Sequence, residues 1–193
     1  VAERTVEWVD ELLEQLSFEW DHQLRPRWSG LTDDEYLWEP VPGMWSVRPR
    51  GQAVTPRAAG GGDWVADFDR EPDPAPVTTI AWRVGHLLVG IYGDRLARHF
   101  GGPPVDYGSY DYPSTAADAL ARLDDQQAAW VAGIRSLSVA DLARPCGEPG
   151  FEQDTLAALL LHINREIIHH GAEISLLRDL YRWWPSRGSG EQG

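Results

Sequence analysis

From Gln153 to Trp183 the apolar residues step by three and four, through Leu156, Leu159 and Ile163 and again at Leu177 and Leu180. That spacing is the seam of an amphipathic helix, the stripe a helix turns towards its neighbours in a bundle. Between the two apolar stretches the same steps fall on Glu166, His170 and Glu173. A carboxylate on a core-facing seam is costly unless it is paired or holds a metal ion. Glu166 and His170 stand four apart, one above the other on one helix face, where two side chains reach one cation. His162 extends the ladder one turn back, rotated slightly off the seam. His169 lies off it, as a rim or supporting residue, and Glu173 continues it.

Three more helices follow from the same reasoning. Residues 3–25 place Val6, Val9, Leu13, Leu16 and Trp20 on one face, and Pro26 marks their end. Residues 78–100 carry two stripes, one through Ile80, Val84, Leu87 and Ile91, the other through Trp82, His86, Val89, Gly93, Leu96 and Phe100. A helix apolar on two sides is buried on two sides, inside a bundle or at a subunit contact, so a homodimer is one expectation. Gly101-Gly102-Pro103-Pro104 stops it. Ser114 is expected to cap the next helix, whose face runs through Leu120, Leu123, Trp130, Ile134 and Leu137 with Gln127 interrupting it. A short helical piece at Ser138–Ala143 is expected in the connection that follows, and Pro185 ends the last helix.

The first and second helices are joined by a long crossover, about residues 28–77. Thr32 and Glu35 have capping-box spacing. Beyond them, seven of the 14 prolines lie between Pro40 and Pro76, around Gly60-Gly61-Gly62. No period of 2 or 3.6 survives there, so no strand is expected. Trp38, Trp45 and Trp64 are expected to pin this segment to the helices, with residues 50–63 open to a partly disordered reading. The fold predicted is all-α, a four-helix bundle in one domain over residues 1–185, with residues 186–193 as a flexible tail.

His86 supplies a third ligand from the second helix. Two histidines and one carboxylate suit zinc, nickel, iron or manganese, and three protein ligands leave a position open for water or substrate. Two alternatives stand beside this: Glu166 paired with Arg83, Arg95 or Arg165 as a buried ion pair, or Glu166 and His170 paired only with each other. Charge narrows the partners. Against 30 acids stand 17 bases, all arginine, for a net charge of −13. That balance excludes nucleic-acid binding through bulk positive charge and a polybasic membrane surface. The early residues lack the apolar run of a signal peptide, the longest apolar run is far too short for a bilayer, and Cys146 is the single cysteine. A cytoplasmic protein is expected.

The stretch Leu160-Leu161-His162-Ile163-Asn164-Arg165-Glu166-Ile167-Ile168-His169-His170-Gly171-Ala172-Glu173-Ile174 resembles the last helix of the DinB-like superfamily, which includes YfiT-like hydrolases and thiol-dependent transferases and isomerases. Many of its members have His at the position of Glu166. Those resembling the mycothiol-dependent maleylpyruvate isomerase type have Glu there, His four residues on, and a further His from the second helix, where His86 fits. Tyr36-Leu37-Trp38-Glu39-Pro40 and Pro42-Gly43-Met44-Trp45-Ser46-Val47-Arg48 look like the crossover of such members. The resemblance implies a four-helix bundle with a divalent metal, zinc foremost, on His86, Glu166 and His170. It further implies a low-molecular-weight thiol such as mycothiol as cosubstrate, attacking an electrophile in a pocket near Trp82, Arg83 and Trp45. Two other readings remain open at this stage: a non-catalytic metal- or ligand-binding stress-response bundle, and a metal-dependent hydrolase using bound water.

Overall fold

The computed structural model describes residues 5–70 and 73–184. Pro185, the tail 186–193 and the first residues of the expected N-terminal helix lie outside them. Helix α1 begins at Trp8–Phe18, passes through a wider π-helical stretch, Glu19–Leu24, and closes with Arg25–Arg27. It buries Leu12, Leu13, Leu16, Trp20 and Leu24. Pro26 therefore sits inside the last turn instead of ending the helix before it. The Trp28 amide closes that turn by bonding to the carbonyls of Leu24 and Arg25, at 3.2 Å each. Helix α2 (Asp33–Tyr36) carries the expected capping box, with the Glu35 amide 3.2 Å from Thr32 Oγ1 and the Thr32 amide 2.9 Å from Glu35 Oε2.

The crossover is not structureless. It holds three short antiparallel strands, β1 (Val47–Pro49), β2 (Arg57–Ala59) and β3 (Trp64–Phe68), in the order β1-β3-β2. Ala66 pairs with Val47 on one side and Ala59 on the other. The expectation of an all-α chain is corrected here, and so is the partly disordered reading of residues 50–63. The physical reason is burial. Val65, Ala66 and Asp67 of the central strand are all buried, so the alternation that betrays a half-exposed strand is missing. The flanking strands are three residues each, too short to show a period.

Asp67 ties the sheet down. Its carboxylate accepts from the Ser46 amide at 3.0 Å, Arg48 Nε at 2.8 Å and the Val54 amide at 2.8 Å. Its carbonyl accepts from Trp82 Nε1 at 2.8 Å, which fixes β3 against the next helix. Trp45 is buried and exchanges backbone bonds with Val77 and Thr79. Trp64 lies in β3, and Trp38 stacks edge-on against Tyr181 and Trp184.

Helix α3 runs Ile80–His86, then through a π-helical stretch Leu87–Gly93, then Asp94–Phe100, with the Thr79 hydroxyl capping it and left-handed Gly101 ending it. Helix α4 (Ala116–Arg135) is capped by Thr115 and not by Ser114, because the Thr115 hydroxyl is the one that accepts from the Asp118 amide. Helix α5 (Val139–Leu142) is the expected short piece, and α6 (Leu156–Trp183) starts at the Thr155 cap, slightly later than expected. Helices α3 and α6 each pack against α1 or its π-helical part, α4, or both, and a single apolar cluster from Leu12 to Ile174 joins them. Gln127 interrupts its helix face as expected and is buried, accepting from the Tyr92 hydroxyl.

Gly133 marks one tight approach in this core. A Cβ there would lie 2.5 Å from Phe100 Cγ, and the Phe100 ring packs edge-on against Trp130 at 5.3 Å. Gly133→Ala gains about 1 kcal/mol of helix propensity. It also drives a methyl into a rigid ring, an overpacking cost of roughly 1–3 kcal/mol. The net expectation is a lower Tm in thermal denaturation; a raised Tm would show that Phe100 moves aside freely.

Candidate metal centre

Helices α3 and α6 run side by side. The third-ligand position falls on the last residue before the π-helical stretch of α3, and the other two fall on α6. His86, Glu166 and His170 each present a ligand atom, all within 4.8 Å of one another. The two imidazoles meet edge-on with ring centres 4.9 Å apart.

What the other ring nitrogens do decides what these can bind. His170 Nδ1 lies 2.8 Å from Glu173 Oε2. Arg83 Nη1 lies 3.1 Å from the same nitrogen; with Nδ1–H donating to the closer carboxylate, Nε2 keeps its lone pair. That Nε2 lies 3.5 Å from Glu166 Oε2. Arg83 forms an ion pair with Glu173 and so holds the carboxylate that orients His170. On the other side His86 Nδ1 lies 2.8 Å from the Tyr107 hydroxyl. With Nδ1–H donating to that oxygen, His86 Nε2 is likewise free. An imidazole anchored through one nitrogen and bare at the other is the arrangement of histidines that bind metals.

Electrostatics favour the neutral form at both rings. Burial, then the neighbouring His170, Arg83 and Arg95, pushes His86 down to about 4. Burial also lowers His170, and the pull of Glu173 in the opposite direction only partly offsets it. Neutral imidazole is the form that ligates.

Glu166 tells against the first of the two alternatives, the arginine pair. Its ion-pair neighbours are His170 and, at 3.6 Å, His162. Among the described residues no arginine is within ion-pair distance of it. Arg83 is committed to Glu173, Arg95 to Asp94 and Glu148, and Arg165 to His162. The seam is also less buried at this level than the spacing suggests: Glu166 and His86 are partly exposed, and both line an open cleft of about 440 Å³ with Arg95, Tyr107 and His162. A carboxylate beside two imidazoles, with no arginine in reach among the described residues, is a donor set of the kind that divalent ions take.

The remaining candidates separate by position. His162 is half-exposed and bonded to Arg165. His169 is exposed, 3.5 Å from Glu173, and with His170 and Glu173 it forms a second cluster of ligand atoms. Arg83 already neutralises the carboxylate of that second cluster, which makes it the poorer cation site. Trp82 stacks on His86 at 5.5 Å and Trp45 lies 5.9 Å from Trp82; both line a pocket with His86 that Glu166 does not line. Arg83 is not among those aromatics.

Tyr107 is absent from the sequence-derived candidates because it lies on the α3–α4 loop, which has no period to place it. One signal does exist. A Cβ at Gly90 would lie 1.9 Å from the Tyr107 hydroxyl, so the hydroxyl reaches His86 only because the residue one turn further along α3 is glycine.

Fold and cleft define a helical protein with a cluster of two histidines and one glutamate between two long helices. A family model of the DinB superfamily matches residues 62–174, more than half the chain, and the protein belongs to that superfamily. All three clustered residues fall inside the match, whereas the crossover stretches at Tyr36–Pro40 and Pro42–Arg48 precede it. Neither a search of curated proteins nor a search of solved structures returns a match. Among the described residues no helix is long and apolar enough to cross a membrane.

Proposed function

We propose that His86, Glu166 and His170 hold one divalent metal ion on a four-helix-bundle framework, zinc before nickel, iron or manganese. We propose further that the protein is a thiol-dependent transferase or isomerase acting on a small electrophilic molecule. The observation that carries the reading is the cluster itself: both imidazoles are hydrogen-bonded through Nδ1, and Glu166 faces an open cleft with no arginine in reach among the described residues. An open cleft beside three ligands is the catalytic pattern and counts against a purely structural ion. A divalent metal in such a site lowers the pKa of a thiol or water bound to it.

The chain's own groups supply the rest. Arg83 and Glu173 fix the orientation of His170, and Tyr107 that of His86. Arg95 and His162 line both the cleft and a second cavity of about 380 Å³, which Arg165 also lines. Arg165, which bonds to His162 and to no carboxylate among the described residues, is the guanidinium there that suits a carboxylate on the thiol or the substrate. The test is a screen of metal-loaded protein with low-molecular-weight thiols against epoxides and haloarenes. Turnover that requires the thiol supports the proposal. Turnover of esters or amides without thiol makes the protein a hydrolase, and a metal-loaded protein inert to all of them is a binding protein.

The anchoring role of Tyr107 has its own test. Loss of a group that orients a metal-bound histidine costs about 10–100-fold in metal affinity. Tyr107→Phe is expected to weaken zinc binding by about tenfold in competition with a chromophoric chelator. Gly90→Ala, which displaces the same hydroxyl, is expected to match it. Unchanged affinity in both would show that Tyr107 does not orient His86.

A further inference from the structure

The Tyr107 hydroxyl can both accept a hydrogen bond and donate one. It lies 2.8 Å from His86 Nδ1. For His86 to ligate through Nε2, Nδ1 carries the ring proton and donates it to the tyrosine oxygen. The hydroxyl then keeps its own proton, for which no acceptor stands among the described residues.

The path of α3 says where that hydroxyl stands. A Cβ at Gly90 would collide with it, so the oxygen rests over the bare backbone of Gly90. Gly90 lines the cleft of about 440 Å³ that Glu166 also lines, and not the pocket that His86 shares with Trp82. Tyr107 itself is 37 % exposed. The charged neighbours in the cleft wall are engaged. Asp106 accepts from the Gly108 and Ser109 amides, and Arg95 donates to the Gly90 carbonyl and pairs with Asp94 and Glu148. Val89, Ile91 and Val105 give the cleft an apolar part. An uncommitted O–H beside short alkyl side chains suits a small aliphatic molecule that carries an oxygen acceptor.

We propose that the Tyr107 O–H donates a hydrogen bond to the oxygen of the electrophile, and that the substrate class is a small aliphatic epoxide. The inference rests on the thiol-dependent reading above. As a thiol opens such a ring, the sulfur–carbon bond forms, one carbon–oxygen bond breaks, and the oxygen ends with the proton that the thiol gave up. Negative charge grows on that oxygen along the way, and a donor already in place stabilises it most at that point. A haloarene releases halide and has no such oxygen. Tyr107 thus holds His86 through a lone pair and meets the substrate through its proton.

The test separates this role from the holding of His86. The chain is loaded to saturation with cobalt(II), and 2-mercaptoethanol and 1-propanethiol are titrated by their thiolate-to-cobalt absorption. The first has the sulfur–carbon–carbon–oxygen order of an opened epoxide; the second has a methyl group where the oxygen stands. Tyr107→Phe is expected to lower the affinity of the first relative to the second by about 3–10-fold, the worth of one hydrogen bond. Gly90→Ala, which displaces the hydroxyl and keeps the ring, is expected to do the same. With metal saturating, Tyr107→Phe is expected to lower kcat for 1,2-epoxybutane relative to a haloarene by about 100-fold, the effect of losing one oxyanion donor. A relative thiol affinity that neither variant changes, an epoxide that is not turned over, or epoxide and haloarene rates that fall by one common factor would each overturn the assignment. Absence of any cobalt–thiolate band in the unaltered protein would instead overturn the thiol-dependent reading itself, and this inference with it.

Discussion

Protein purified without a histidine tag is expected to carry about one divalent metal ion per chain, and Glu166→Ala or His170→Ala to carry none above background. Each substitution leaves two ligands, and for His170 it also strands Glu173 and Arg83, which now orient nothing. Glu166→Gln separates ligation from packing, because it keeps the volume and removes the charge that a cation needs. A loss of metal with an unchanged Tm in the metal-free state is expected for it. Linkage gives a second readout. An ion present at 1,000 times its Kd stabilises the folded chain by about 4 kcal/mol. Adding a chelator should therefore lower the Tm of the unaltered protein by several degrees and leave that of the Glu166 and His170 variants where it was. Full metal content in those variants, or a Tm indifferent to chelator in the unaltered protein, would remove these three residues as the metal site.

Helix α6 shows how far a period can be read. Strict three-four steps place Leu156, Leu159, Ile163 and His170 on the buried side, and all four are buried. The same steps then fail: Leu177 is only partly buried and Leu180 is 42 % exposed. A straight helix drifts about 20° per seven residues against such a repeat, so over this length the stripe turns by roughly 70°. Ile174, Ser175 and Arg178 rotate inward as Leu180 rotates out. The site is legible because Glu166 and His170 lie before the drift has grown, and because His86 sits in a helical stripe of its own. Tyr107 is not legible, since only a loop path brings it to His86, and the role of Arg83 needs the side-by-side placement of two helices. The sheet stays hidden for a different reason: strands that are very short or covered on both faces leave no alternation to read.

That inward rotation of Arg178 leads to the largest stability effect expected in this chain. Arg178 and Glu35 are 3 % and 5 % exposed, with Nε 3.0 Å from Oε1. Arg178 also donates to the carbonyl of Arg27, and Trp28 Nε1 donates to Ser175 Oγ at 3.0 Å, so the end of α6 is fastened to the end of α1 and to α2. Burial pushes the Glu35 carboxyl up, but the Thr32 amide and Arg178 outweigh it and hold the group below its usual range. Arg178→Met leaves that buried carboxylate with only the exposed Arg182 near it, its Nε 3.9 Å from Oε1, a cost of about 3 kcal/mol. In Glu35→Leu with Arg178→Met both charges are gone. What remains is chiefly the lost cap, about 1 kcal/mol, so the double variant is expected to be more stable than Arg178→Met alone. The pH dependence distinguishes charge from packing. Without Arg178 the native carboxyl titrates above its unfolded value, so the native state binds the extra proton between the two. The deficit of Arg178→Met should therefore shrink as pH falls from 7 towards 5 in urea denaturation, whereas that of the double variant should not change. Single-variant costs that simply add, or an Arg178→Met deficit independent of pH, would mean that Arg178 acts by filling space and not by answering the Glu35 charge.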